Sequence, residues 1–150
     1  MVPTHPAKNA ARLKLTMDPS QLSILEEWLH GLASRCGLSD QSLFSLDLVL
    51  TEAVTNVMCY ARNTDASGEI IVTCTFQGDH IEVEIVDDGH PFDPTAHMPA
   101  ALPTSLADAK PGGLGIHLMR QYTNSMHYRR ERERNILHMT VPITSATITD

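Results

Sequence analysis

Ile81-Glu82-Val83-Glu84-Ile85-Val86-Asp87-Asp88-Gly89-His90-Pro91 begins as an alternation of apolar and acidic residues and ends in a turn. A period of two is the pattern of a strand with one face buried and one wet. The run just before it, residues 68–76, has strand character too, and Gln77-Gly78-Asp79 between the two reads as a hairpin turn. The alternation continues past the last isoleucine. Asp87 falls on the inward face with Ile81, Val83 and Ile85, whereas Asp88 falls on the outward face with Glu82 and Glu84. An inward carboxylate just before glycine is either a turn-forming Asx side chain or an acceptor for a ligand donor, such as the amino group of adenine.

Upstream of this hairpin, residues 11–17 have strand character and Asp18-Pro19-Ser20 opens a helix. Leu22, Leu25, Leu29 and Leu32 recur at helical spacing up to Gly37, which marks the end. A second helix starts at the capping pair Ser39-Asp40 and runs to about residue 61. Leu43, Leu46, Leu50, Ala53, Val54 and Val57 line one side and Leu48 and Val49 another, so it is expected to be buried over most of its circumference. Glu52 and Asn56 break that apolar surface. One turn apart, they lie about 40° from each other around the axis and point the same way. They are either a hydrogen-bonded core pair or part of a site.

Downstream, residues 90–111 fit no periodic pattern and hold five of the nine prolines: Pro91, Pro94, Pro99, Pro103 and Pro111. Long irregular segments inside a domain are usually lids or binding loops, so residues 90–111 are expected to form a lid. Gly112-Gly113-Leu114-Gly115 then opens a third helix reaching about residue 124. Glycines there expose backbone N–H groups at the positive end of the helix dipole, an anion cradle. The stretch is not a Walker A loop, because no Lys-Ser/Thr follows, and not a dinucleotide fingerprint, because no strand directly precedes it. Residues 126–133 and 136–143 read as two closing strands. Read as strand, residues 128–134 would put Arg130, Arg132 and Arg134 on one face, either a solvated hairpin surface or a docking stripe for an acidic partner. The order of elements predicts an α+β two-layer sandwich in a single domain over 1–150. Its sheet is expected to be mixed and largely antiparallel, with helices on one face.

Composition narrows the ligand. With 150 residues and 42% hydrophobic content the chain can bury one core, and a formal charge of −7 argues against a general attraction to nucleic acid. An anionic ligand therefore needs a metal, a helix terminus or a few basic groups. Cys36, Cys59 and Cys74 are far apart with no Cys-x-x-Cys pair, which reads as reduced, mostly buried thiols in a cytoplasmic protein. No apolar run long enough to cross a bilayer is expected, and the first residues lack the apolar stretch of a signal peptide. The histidines, including His90, His97 and His117, match no zinc spacing.

Each signal is weak alone, but their order is specific. Residues 51–56 (TEAVTN) resemble the N box of the GHKL, or Bergerat-fold, ATPases; residues 86–94 (VDDGHPFDP) resemble the G1 box, and residues 112–119 (GGLGIHLM) the G2 box. Asp-x-Gly-x-Pro-Phe-Asp-Pro followed by Gly-Gly-Leu-Gly is particularly similar to the anti-sigma factor serine/threonine kinases. That resemblance implies ATP and Mg²⁺ as cofactors. Asn56 would ligate the metal, Asp87 would accept from the adenine amino group, and Gly89 would let the base approach the backbone. Pro91, Gly113, Leu114 and Gly115 would belong to the same nucleotide-binding set, with Lys110 as a phosphate contact and Glu52 as the general base. Implied partners are a STAS-type anti-sigma factor antagonist, a sigma factor and a second copy of the chain, with no nucleic acid and no membrane. The sequence departs from the family pattern at Tyr60, where histidine is frequent, and at Pro111, where glycine is. A non-catalytic, nucleotide-dependent binding module is the alternative. A histidine kinase catalytic domain fits less well, because the single helix around His30 cannot form a phospho-acceptor hairpin.

Overall fold

In the computed structural model, which describes residues 9–62, 67–96 and 113–146, strand β1 (Ala10–Thr16) pairs antiparallel with β2 (Glu69–Phe76). Between them in sequence lie helices α1 (Leu22–Cys36) and α2 (Asp40–Asn56), the latter continued by a π-helical turn (Val57–Ala61). Strand β3 (His80–Asp87) returns as a hairpin beside β2, and helix α3 (Gly113–Gln121) precedes the closing hairpin of β4 (Ser125–Glu131) and β5 (Arg134–Pro142). The sheet order is β1-β2-β3-β5-β4. Every pairing among the described residues is antiparallel, so the sheet is not mixed as expected. The α+β two-layer architecture is as read from the pattern.

The alternation in β2, β3 and β5 sends Ile70, Val72, Cys74, Ile81, Val83, Ile85, Leu137, Met139 and Val141 inward. There they form one core with Leu25, Leu29 and Leu32 of α1 and Leu46, Val49, Leu50, Ala53 and Val54 of α2. Gly37 ends α1 in the left-handed conformation (φ 65°), and Leu38 N–H returns to the Ala33 carbonyl at 3.0 Å, a Schellman-type stop. Ser39 then caps α2 by accepting from the Ser42 amide at 3.1 Å.

Several expectations need correction. Asp40–Ala61 is 22 residues long with mean hydropathy 1.3, so by length and composition it could cross a bilayer, against the expectation of no such run. Its apolar side chains instead share the core with four strands of the sheet, as a core helix does. Nor is α2 buried all round, since Phe44 is 58% exposed and packs edge-on against Tyr122 with ring centroids 6.1 Å apart. Of the cysteines only Cys74 is buried, its thiol pushed up to about 12 by desolvation; Cys36 and Cys59 are exposed. Helix α3 stops at Gln121, short of the expected 124.

The arginine stripe is replaced by a turn. Glu131 pairs with Arg134, and Arg132 and Glu133 between them take positive φ (51° and 62°), as a two-residue hairpin turn with the twist of its strands requires. That takes Arg132 out of the strand and moves Asn135 into register opposite Asp87.

Candidate functional site

At one end of the inner sheet face the apolar rows give way to one that turns polar over its last three strands. Strand register sets Leu15, Ile70, Asp87, Asn135 and Arg130 side by side across the sheet. Asp87 is inward as the alternation requires, and 3% exposed. Its Oδ1 accepts from the Gly89 amide at 2.9 Å and from Asn135 Nδ2 at 2.9 Å. Desolvation raises the Asp87 carboxyl above the ordinary carboxylate range. Hydrogen bonds from Asn135 and Gly89 oppose that rise, the Asp88 charge adds to it, and the Arg130 charge opposes it.

Asn56 reaches the same place from the helical layer. It is 3% exposed, and its Nδ2 donates to Met119 Sδ of α3 at 3.7 Å. The amide oxygen accepts no hydrogen bond among the described residues. A hard, neutral oxygen donor of this kind suits Mg²⁺, which keeps most of its waters and takes few protein ligands. One turn earlier, half-buried Glu52 lies against α3 where that helix begins. A Cβ built at Gly115 would collide with the Glu52 carboxylate, so glycine is what admits the carboxylate.

A second glycine has a comparable reason. The π-helical turn after Asn56 delivers the Ala61 carbonyl onto the loop that follows β3, where it accepts from the His90 amide at 2.8 Å. A Cβ at Gly89 would strike that carbonyl. Gly89 thus lets the helix end close on the loop, whatever further room it leaves for a ligand.

Asn56 and Asp87 line one cavity with Ala53, Val57, Ile85, Phe92, Pro94, Tyr128, Asn135 and Leu137. As it stands the space is about 20 Å³, enough for one water. Phe92 of its lining is stacked on Tyr60, with ring centroids 4.9 Å apart. Pro91 is exposed and does not line the cavity. Gly113 and Leu114 open α3, whereas residues 97–111 of the expected lid, with His97, Lys110 and Pro111, and Gly112 after it lie outside the described residues. The structure thus joins Glu52 to Gly115, and Asn56 to Asp87 and the Gly89 loop.

The sequence reading missed Asn135. It is 4% exposed and makes five hydrogen bonds: Nδ2 donates to Asp87 and to the His90 carbonyl (2.7 Å), and Oδ1 accepts from Phe92 N (3.3 Å), Tyr128 OH (2.6 Å) and Arg130 Nη1 (3.0 Å). A signal was present: counting back by twos from Val141, Met139 and Leu137 lands on Asn135, an inward polar residue like Asp87.

The family model of the histidine kinase-like ATPase domain matches residues 15–141, spanning α2, β3, α3 and the polar row. The chain belongs to that family. This ATPase domain is 33% identical over 113 residues to serine/threonine-protein kinase BtrW of Bordetella bronchiseptica, covering 75% of the chain and 80% of the relative. It is 30% identical over 111 residues to serine-protein kinase RsbW of Bacillus subtilis, covering 71% and 69%. The crystal structure of the RsbU and RsbW domains of a Mycobacterium tuberculosis protein superposes with TM-score 0.65 at 13% identity, over 93% of the ATPase domain and 34% of that longer chain. The last likeness is one of fold.

Proposed function

We propose that this chain is an ATP-dependent protein serine/threonine kinase that phosphorylates a STAS-type anti-sigma factor antagonist and also sequesters a sigma factor. The reading places it in the cytoplasm, as a single domain acting as a homodimer. One observation carries it: the carboxylate of Glu52 lies against the first turn of α3, one helical turn from Asn56, which shares a cavity with Asp87. The relatives whose printed names are serine or serine/threonine kinases support the same reading.

In this account Asp87 accepts from the adenine amino group, and the backbone N–H groups at the start of α3 face the phosphates. Asn56 would hold Mg²⁺, which would supply neutralisation of the phosphate charge. That answers how a chain of charge −7 accommodates a polyanion without a basic patch. Glu52 takes the proton from the serine hydroxyl as its oxygen attacks the γ-phosphorus; the bond to the β-γ bridging oxygen breaks and ADP departs. The test is transfer of the terminal phosphate of ATP to a purified antagonist protein by wild type and Glu52→Gln. Labelled serine with wild type alone supports the reading; equal labelling by both overturns the role of Glu52.

The alternative reading is a nucleotide-dependent binding module without phosphoryl transfer. It predicts partner control that survives Glu52→Ala.

A further inference from the structure

The polar row contains more than an acceptor for adenine. Arg130 Nη1 donates both to Asn135 Oδ1 at 3.0 Å and to the Gly89 carbonyl at 3.1 Å. Through Asn135 and Arg130 the β4–β5 hairpin therefore holds three backbone groups of the loop after β3: the Gly89 carbonyl, the His90 carbonyl and the Phe92 amide. The Asn135 amide can sit only one way round. Arg130 and the Phe92 amide are obligate donors, so oxygen must face them, and the His90 carbonyl is an obligate acceptor, so nitrogen must face it. The nitrogen then points its second proton at Asp87 Oδ1, which already accepts from the Gly89 amide.

We infer that Asn135, itself held by Arg130 and Tyr128, is a positioning residue that sets base selectivity: it consumes Asp87 Oδ1 and leaves Oδ2 as the atom that reads the base. This inference rests on the nucleotide-binding reading above. Oδ2 so presented accepts from a base carrying an amino donor and repels one carrying a carbonyl oxygen at the same place. Selectivity is thus built from two shells. Asp87 contacts the base, and Asn135 decides which Asp87 atom is available and how it is aimed. Without Asn135 the carboxylate loses one of its two donors and can accept water instead, and the loop is released at two of its three points, the His90 carbonyl and the Phe92 amide.

The experiment compares ATP with inosine triphosphate, which has the same ribose and phosphates but carries a carbonyl oxygen where adenine has its amino group. Affinities of both are measured with Mg²⁺ for wild type, Asn135→Leu, Arg130→Met and Tyr128→Phe. Wild type is expected to prefer ATP by about 10- to 100-fold, the discrimination of one hydrogen bond to a charged group. In Asn135→Leu that ratio is expected to fall to within about threefold of unity, with intermediate ratios for Arg130→Met and Tyr128→Phe. A purely structural role for Asn135 would weaken both nucleotides equally and leave the ratio at its wild-type value, and that result overturns the inference. Should Asn135→Leu not fold, the other two variants report the same ratio. A wild type that binds both nucleotides equally refutes the adenine-reading role of Asp87 itself, and the inference falls with it.

Discussion

Replacing Asp87 by Asn separates binding from folding. Asparagine has nearly the same shape, and its own Oδ1 can keep both hydrogen bonds that Asp87 Oδ1 makes, from Gly89 N and Asn135 Nδ2, each 2.9 Å long. What changes is the other atom: an NH₂ donor replaces Oδ2 and faces the adenine amino donor. Losing a hydrogen bond to a charged acceptor costs about 1.5–3 kcal/mol, so ATP affinity is expected to fall about 10- to 100-fold. Stability is expected to move the other way. Burial already disfavours the Asp87 charge, which is why its carboxyl lies above the ordinary value of 3.8, so a neutral isostere is as stable or more so. The sign with pH follows. The folded state holds the Asp87 proton more tightly than the unfolded state, so this group makes stability fall as pH rises from 3.8 through the raised folded value. Asp87→Asn lacks that loss, so its stability advantage grows across the window and then levels. Displacement of a fluorescent ATP analogue reads the first effect, and urea unfolding at several pH values reads the second. Unchanged ATP affinity would refute the reasoning, as would an Asp87→Asn variant markedly less stable than wild type at neutral pH.

Glu52→Ala is expected to reduce phosphoryl transfer by about 10²- to 10⁴-fold, the range for a positioned general base, with ATP affinity within about threefold of wild type. Gly115→Ala places a methyl group where the Glu52 carboxylate lies; that side chain can swing aside, so the melting temperature should hold while transfer falls at least about tenfold, read by calorimetry and a transfer assay. Gly89→Ala meets the Ala61 backbone carbonyl, which cannot swing aside, and is expected to cost about 1–3 kcal/mol in urea unfolding. Asn56→Ala should make ATP binding insensitive to added Mg²⁺ in the same displacement assay.

Much of this site was legible because strand alternation is strict. The period that buries Ile81, Val83 and Ile85 also places Asp87, and the i, i+4 spacing of Glu52 and Asn56 fixes their common direction on α2. The failures share a physical origin in turns whose residues do not announce them. Arg132 and Glu133 adopt positive φ without a glycine or asparagine, so the last hairpin reads as longer strands with an arginine stripe. That misplaced turn hid Asn135, and with it the link from Arg130 to the loop after β3. The role of Gly89 was likewise illegible, because its need for glycine comes from a carbonyl 28 positions earlier, delivered by a π-helical turn that composition does not reveal. Phe44 marks another limit: the apolar run of α2 does not reveal that this ring is exposed and packs against Tyr122.

The central claim, that Asp87, Asn56 and the start of α3 form one ATP·Mg²⁺ site, is tested most directly by calorimetric titration of the purified protein with ATP, with and without Mg²⁺. The account predicts one site per chain whose affinity rises when Mg²⁺ is added and falls in Asp87→Asn. No heat of binding under either condition, from protein shown to be folded, would contradict it.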